Sequence, residues 1–222
     1  MKLPKRHSSS AALAKRGQNW SIFAQMGRAF ALFNTPIGTC SIAWGPGGVI
    51  GLGLPSADAD ENRANMHKRF QGIAENIPPP KFAAVITDIQ ALLVGESRDL
   101  LSVELDLEGI PEFHRRVYEV TRAIPPGQTL TYGQISQKLN APGTARAVGQ
   151  ALGANPFPIV VPCHRILAAG GGAGGFSAPG GFETKMNILN IERKNAPLEP
   201  SLFDDLPLSP PPRRPTMRRR LG

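Results

Sequence analysis

The sequence predicts a mixed α/β chain whose β-rich first half supports a mostly helical second half. Three observations carry this. Apolar residues alternate with small or polar ones between Phe30 and Leu54, around a Pro46-Gly47-Gly48 turn. From Phe113 the spacing changes to that of a helix. The apolar run Pro158 to Pro162 then delivers Cys163 and His164 side by side, followed at once by a loop made largely of glycine.

Thr39 to Trp44 and Val49 to Leu54, joined by the Pro-Gly-Gly turn, predict a hairpin. Asn62 to Ile73 predicts a short polar helix, and the prolines at 78–80 break the chain. Phe82, Val85, Ile86, Ile89, Leu92 and Leu93 then mark one face of a helix over Phe82 to Val94. The alternation in LLSVELDL, residues 100–107, predicts a further strand. In the second half, Phe113, Val117, Val120 and Ile124 share a helical face that Pro125-Pro126-Gly127 ends. Thr131 is placed to N-cap a helix running to Leu139, the NAPG stretch makes a turn, and Thr144 to Ala154 forms a third helix. Two short helices joined by a turn of about four or five residues fit a helix-turn-helix, although all-helical proteins share that spacing. PIVVPCHRI predicts a buried strand ending at Pro162, which puts Cys163 at or just beyond its terminus.

The 222 residues divide into a basic leader (1–28), an N-terminal domain (29–108), a C-terminal domain (109–195) and a Pro/Arg-rich tail (196–222), with both ends expected to be disordered. The acid-free, Ser-rich leader also fits an organelle transit peptide, and Met26, shortly before the first strand, offers a second possible start. The net charge is +8, and the two tails account for all of it. Residues 29–112 carry five basic and eleven acidic side chains, whereas 113–195 carry nine and three. A phosphate-binding surface therefore belongs to the second half of the core. No apolar run approaches the roughly eighteen residues of a membrane span, and nothing reads as a secretory signal. With Cys40 and Cys163 as the sole cysteines, neither in a C-x-x-C pair, the expectation is an intracellular, reduced compartment without a disulfide framework or zinc ribbon.

Cys163 permits three readings: a small buried hydrophobe, a metal ligand or a nucleophile. Neighbours in an extended chain point to opposite sides, so His164 could act on Cys163 only through an intermediary. The third helix is thin, with Ala145, Ala147, Gly149, Ala151 and Gly153, and has Arg146 as its one long cation. Tight helix packing explains such a composition; so does a helix pressed into a narrow groove with one cation entering the base stack.

TYGQISQKL, ARAVGQALGANPFPIVVPCHR and GGFS together resemble the O6-alkylguanine-DNA alkyltransferase family, over a span from about Gly109 to Glu192. TPIGTCSIAWGPGGVIGLGLP and LDLEGIPEF match more loosely. The resemblance implies a ribonuclease-H-like, β-rich N-terminal domain, and a C-terminal domain with a winged-helix-like helix-turn-helix and an active-site Cys loop. It implies repair of O6-alkylguanine, and of O4-alkylthymine, in double-stranded DNA. A monomer contacts the minor groove, flips the nucleotide and takes the alkyl group irreversibly onto Cys163, without cofactor or metal. His164 then deprotonates Cys163 through a bridging water, Glu192 orients His164, and Tyr132 donates to guanine N3. Arg146 fills the gap left by the flipped base, with Ala145, Ala147 and Gly149 against the DNA. Asn155 becomes the hinge between the recognition helix and the active-site strand, with Arg165 in a supporting role. The carbonyls of Cys163 and Ile166 accept from the guanine amino group, and Ser177 donates to O6 beside Phe176.

Four features depart from the family pattern. Phe176 stands where Tyr is common, the loop between Ser177 and Lys185 is two residues longer, and His114 and Tyr118 replace the usual Gln and Trp. With Cys40 alone in its half, a structural zinc is not expected. The rival functions are a non-enzymatic binder of alkylated DNA, a cysteine hydrolase, and a sequence-specific helix-turn-helix regulator.

Overall fold

In the computed structural model, which describes residues 27–171 and 180–195, the first half is one four-stranded sheet with a helix on each face. Strands β1 (Ala29–Thr35), β2 (Gly38–Gly45) and β3 (Gly48–Gly53) form an antiparallel meander, and a two-residue strand β4 (Ala74–Glu75) adds parallel to β1, giving the order β3-β2-β1-β4. The hairpin expected around Pro46-Gly47-Gly48 is present. Gly48 adopts φ +124, and a Cβ there would lie 2.5 Å from the Glu104 carbonyl oxygen, so the turn and its neighbour leave no room for a side chain.

Alternation along β1 and β2 sorts their side chains between the two helices. Phe30 and Ala43 pack with Met66 of helix α1 (Ala59–Arg69), while Phe33, Cys40, Ile42 and Trp44 face helix α2 (Pro80–Leu93). Trp44 stacks on Phe82 of α2 with ring centroids 5.5 Å apart. Asp58 starts α1 by accepting from the Glu61 N–H at 2.8 Å, and Pro80 starts α2 in the first-turn position that proline tolerates. The strand expected at 100–107 is not formed: Leu105 makes a single parallel bridge to Val49. Alternation there records one buried side of a loop that covers the outer edge of β3 through Val49 N–H to Glu104 O and Asp106 N–H to Val49 O.

The second half contains α3 (Glu112–Arg122), β5 (Leu130–Thr131), α4 (Tyr132–Lys138), α5 (Ala145–Gly153), β6 (Ile166–Leu167) and α6 (Gly181–Asn195). Thr131 caps α4 as expected, in a reciprocal box with Gln134. The NAPG turn places Asn140 at φ 53 and Gly143 at φ 86. Ser136, whose hydroxyl donates to Ala141 O and meets the Thr144 hydroxyl at 3.1 Å, ties α4 to the start of α5. Arg122 closes α3 onto the first half, its Nη2 lying 2.9 Å from the carbonyls of Leu100, Leu101 and Val103. The apolar cluster under α2 continues through Val117, Tyr118, Ile135, Val148, Phe157 and Ile188. Among the described residues no helix is long and apolar enough to cross a membrane.

Candidate active site

PIVVPCHRI is buried but is not a strand. Residues 158–160 form a turn followed by a bend at 161, and Cys163–Arg165 is one turn of 3₁₀ helix ahead of β6. Pro158 and Pro162 have no N–H to give a ladder, and the backbone closes locally through Val161 N–H to Phe157 O and Cys163 N–H to Val161 O. The apolar run therefore signalled burial, which does not require extension. Ile159 sits at φ 75, a left-handed conformation that costs a β-branched residue energy. Asn155 braces this loop: its Nδ2 donates to Val161 O at 2.9 Å, and its Oδ1 accepts from Phe157 N–H at 2.9 Å.

Cys163 is partly exposed, at the mouth of the core. Burial of its surroundings pushes the thiol up, while a side-chain hydrogen bond from Asn155 and the charge of Lys185 work in the opposite direction. It therefore rests as a thiol and must be deprotonated to react. Its Sγ lies close enough to Tyr132 and Tyr118 for a thiolate to raise both phenols, although burial is the larger cause in each.

His164 and Arg165 turn inward, both 1 % exposed. His164 Nε2 meets Glu192 Oε1 at 2.9 Å; Arg165 reaches the same carboxylate through Nη2 at 2.7 Å and Nε at 3.0 Å; and Gly127 N–H donates to Oε2 at 3.1 Å. Burial alone would raise the Glu192 carboxyl, but His164 and Arg165 outweigh it and hold it down at about 2. Burial pushes His164 below its ordinary value, with Glu192 pulling the other way. A neutral imidazole beside a fixed carboxylate gives its proton to Nε2 and leaves Nδ1 as the basic nitrogen.

Helix α6 carries a cation the sequence reading overlooked. Lys185 is fully buried and donates Nζ to Ile166 O, while Ile166 N–H donates to Cys163 O. Lys185, Ile188, Leu189 and Glu192 recur at helical spacing, so the signal was a Lys and a Glu on an otherwise apolar stripe. Tyr118, one of the departures from the family pattern, donates its hydroxyl to Ala151 O at 3.0 Å, linking α3 to the last turn of α5.

The remaining expected residues fall into two groups. Pairing of β5 with β6, Leu130 opposite Ile166 and Thr131 opposite Leu167, brings half-buried Tyr132 beside the Cys163 turn. Gly149 of α5 packs on Tyr132, since a Cβ there would lie 3.7 Å from the ring. Arg146 is exposed on α5 between partly exposed Ala145 and Ala147. Phe176 and Ser177 lie outside the described residues, as do the leader and tail. Among the described residues no group of three His, Cys, Asp or Glu side chains could hold a metal ion.

Residues 112–194 match the family described as 6-O-methylguanine DNA methyltransferase, DNA binding domain. A methylated-DNA–protein-cysteine methyltransferase of Mycolicibacterium paratuberculosis is 44% identical over 133 residues, covering 60% of this chain and 77% of the relative. One from Salmonella typhimurium is 37% identical over 135 residues, 61% of this chain and 77% of its own. Among solved structures, OGT of Mycobacterium tuberculosis in complex with DNA superposes with a TM-score of 0.61 at 34% identity, covering 79% of this chain and 99% of that one. The O6-methylguanine-DNA methyltransferase of Pyrococcus kodakaraensis gives a TM-score of 0.58 at 31% identity, over 73% and 98%.

Proposed function

Because this chain belongs to the methylated-DNA–protein-cysteine methyltransferase family, we propose that it repairs DNA by moving the alkyl group of O6-alkylguanine onto Cys163, once per protein molecule. The observation that carries the reading is the buried His164–Glu192 pair adjoining a partly exposed Cys163. Cys163 gives its proton through a bridging water to His164 Nδ1, and Glu192 stabilises the imidazolium. The thiolate attacks the alkyl carbon; the S–C bond forms and the C–O6 bond breaks. The electron pair passes into the purine, where Tyr132 donates to N3 so that guanine leaves neutral. Water does not hydrolyse the resulting thioether, so the protein is consumed.

The position of Ile166 supports a second role. Its carbonyl and that of Cys163 accept from the guanine amino group, with the Lys185 ammonium holding the Ile166 carbonyl from behind. Asn155 is the hinge, and Arg165 supports Glu192. Helix α5 enters the minor groove of double-stranded DNA with Ala145, Ala147 and Gly149 allowing close approach, and Arg146 occupies the space of the flipped nucleotide. Phe176 and Ser177 complete the alkyl pocket, and O4-alkylthymine is a second substrate. Residues 29–108 are the ribonuclease-H-like domain and 109–195 the winged-helix-like domain of a protein acting as a monomer.

Intact mass and peptide mapping after incubation with an O6-methylguanine duplex test this. A methyl adduct on Cys163 in stoichiometric yield is expected. No adduct, or turnover beyond one equivalent, overturns the reading.

A further inference from the structure

Pro156, one residue past the hinge Asn155, is gripped from the opposite half of the molecule. Its carbonyl accepts the Leu52 N–H of β3 at 2.9 Å and Nη2 of Arg69 at 2.8 Å. Arg69 is the last residue of α1, and its Nη1 donates at 2.9 Å to the Leu52 carbonyl. The guanidinium thus bridges an edge strand and the loop that carries the site, two groups far apart in sequence. Its seat is built for it. A Cβ at Gly51 would lie 2.5 Å from Phe70 Cζ and 3.0 Å from Arg69 Nη2, so the bare strand is what lets the ring and the guanidinium lie across β3. Arg69 also stacks over Phe70, 4.9 Å from its centroid.

A proline has no N–H, so its carbonyl is the only backbone group by which Pro156 can be held. What it holds reaches the nucleophile through one side chain, because Asn155 braces Phe157 and Val161, and the Val161 carbonyl in turn accepts the Cys163 N–H at 2.8 Å. The loop beyond contains Ile159 at φ 75, a conformation that persists only where its surroundings over-determine it. One charge-assisted bond from Arg69 and one backbone bond from Leu52, both to the Pro156 carbonyl, supply such a constraint.

We propose that Arg69 is a positioning residue for alkyl transfer: by gripping the Pro156 carbonyl together with Leu52, it fixes the Asn155 brace on Phe157 and Val161 and with it the turn that presents Cys163. The reaction named here rests on the function proposed above, whereas the effect on the thiol does not.

The test uses the full chain and two readouts: the rate of benzyl transfer from free O6-benzylguanine, and the pH midpoint of Cys163 alkylation by iodoacetamide followed by peptide mapping. Cys40 is 1 % exposed and its thiol is pushed up to about 11, so mapping separates it readily. Arg69→Met should slow transfer about tenfold, less than the roughly hundredfold that an ångström of misplacement can cost. It should raise the iodoacetamide midpoint by about half a pH unit or more, since the Asn155 side chain, which holds the thiol down against burial, is no longer fixed beside it. Arg69→Lys, which keeps one donor to Pro156, should recover part of both. The other groups facing the thiol, namely His164, Lys185, Tyr118 and Tyr132, are unchanged in these variants, so the midpoint reports the loop. A role confined to stability would lower the urea midpoint and leave the thiol midpoint in place. Gly51→Ala, which displaces the guanidinium without removing its charge, should behave like Arg69→Met and decides the matter if that variant does not fold. Wild-type rate and wild-type thiol midpoint in a folded Arg69→Met, or in both Gly51→Ala and Arg69→Lys, overturn the proposal. If wild-type protein takes no benzyl group, the proposed function fails, while the iodoacetamide midpoints still decide the role of Arg69.

Discussion

Replacing Glu192 by Gln should be among the most damaging single changes in the second half. The carboxylate is almost fully buried and takes bonds from His164, from two nitrogens of Arg165 and from Gly127 N–H. Its carboxyl stands at about 2 in the fold against an ordinary 4.5, so the unfolded chain binds the proton more tightly. That contribution is complete above about 4.5 and is lost as the pH falls toward about 2, so at pH 7 all of it is present. At about 1.4 kcal/mol per pH unit, the difference amounts to roughly 3 kcal/mol. An independent route agrees: removing one member of a buried ion pair costs about 3–5 kcal/mol, because the partner charge stays buried and unpaired. Urea unfolding of the wild type and Glu192→Gln at pH 7 should therefore differ by about 3 kcal/mol. Because the stranded Arg165 cation is the source of the cost, Arg165→Met/Glu192→Gln should be less damaged than the two single losses summed, by at least about 1 kcal/mol. A single-variant loss below about 1 kcal/mol, the worth of an exposed pair, would refute the reasoning. So would strict additivity in the double variant.

Arg146→Ala should slow transfer from duplex DNA at least tenfold while leaving transfer from free O6-benzylguanine within about twofold, because the free base needs no flipping; equal losses on both substrates would remove the finger role. Lys185→Met should push the Cys163 thiol further up and release the Ile166 carbonyl, slowing benzyl transfer by about tenfold or more; an unchanged rate at pH 7 would count against it. Tyr118→Phe strips the buried Ala151 carbonyl of its donor and should cost about 1–3 kcal/mol in urea unfolding; a neutral result would mean that the carbonyl finds another partner.

Much of the local structure was legible from residue spacing. The β2–β3 hairpin, the helices around Phe82 to Val94 and Phe113 to Ile124, and the capping of α4 by Thr131 all depend on residues within a few positions of one another. Cys163, His164 and Glu192 were legible through a family pattern rather than through periodicity, and the structure brings them together. The shape of the Cys163 segment was not legible. An apolar run reports that a segment is buried, and Pro158, Pro162 and the Asn155 side chain turned this one into a looped 3₁₀ segment. Cys163–Arg165 being a 3₁₀ turn, an extended strand is no ground for requiring an intermediary between His164 and Cys163.

What the sequence determined by itself is the set of elements whose information is local, together with the chemistry a Cys-His-Arg turn can perform. Tertiary structure decided everything that depends on distant partners meeting. The two-residue strand β4 exists only because β1 offers it an edge, and Lys185 is legible as a site residue only once α6 lies under β6. Arg69, a cation at a helix end like many others, meets Pro156 because β3 and the Asn155–Pro156 loop arrive at its two nitrogens. Propensity and capping act over one or two turns of chain, whereas burial of a charge and sharing of a carbonyl are settled by the packed whole.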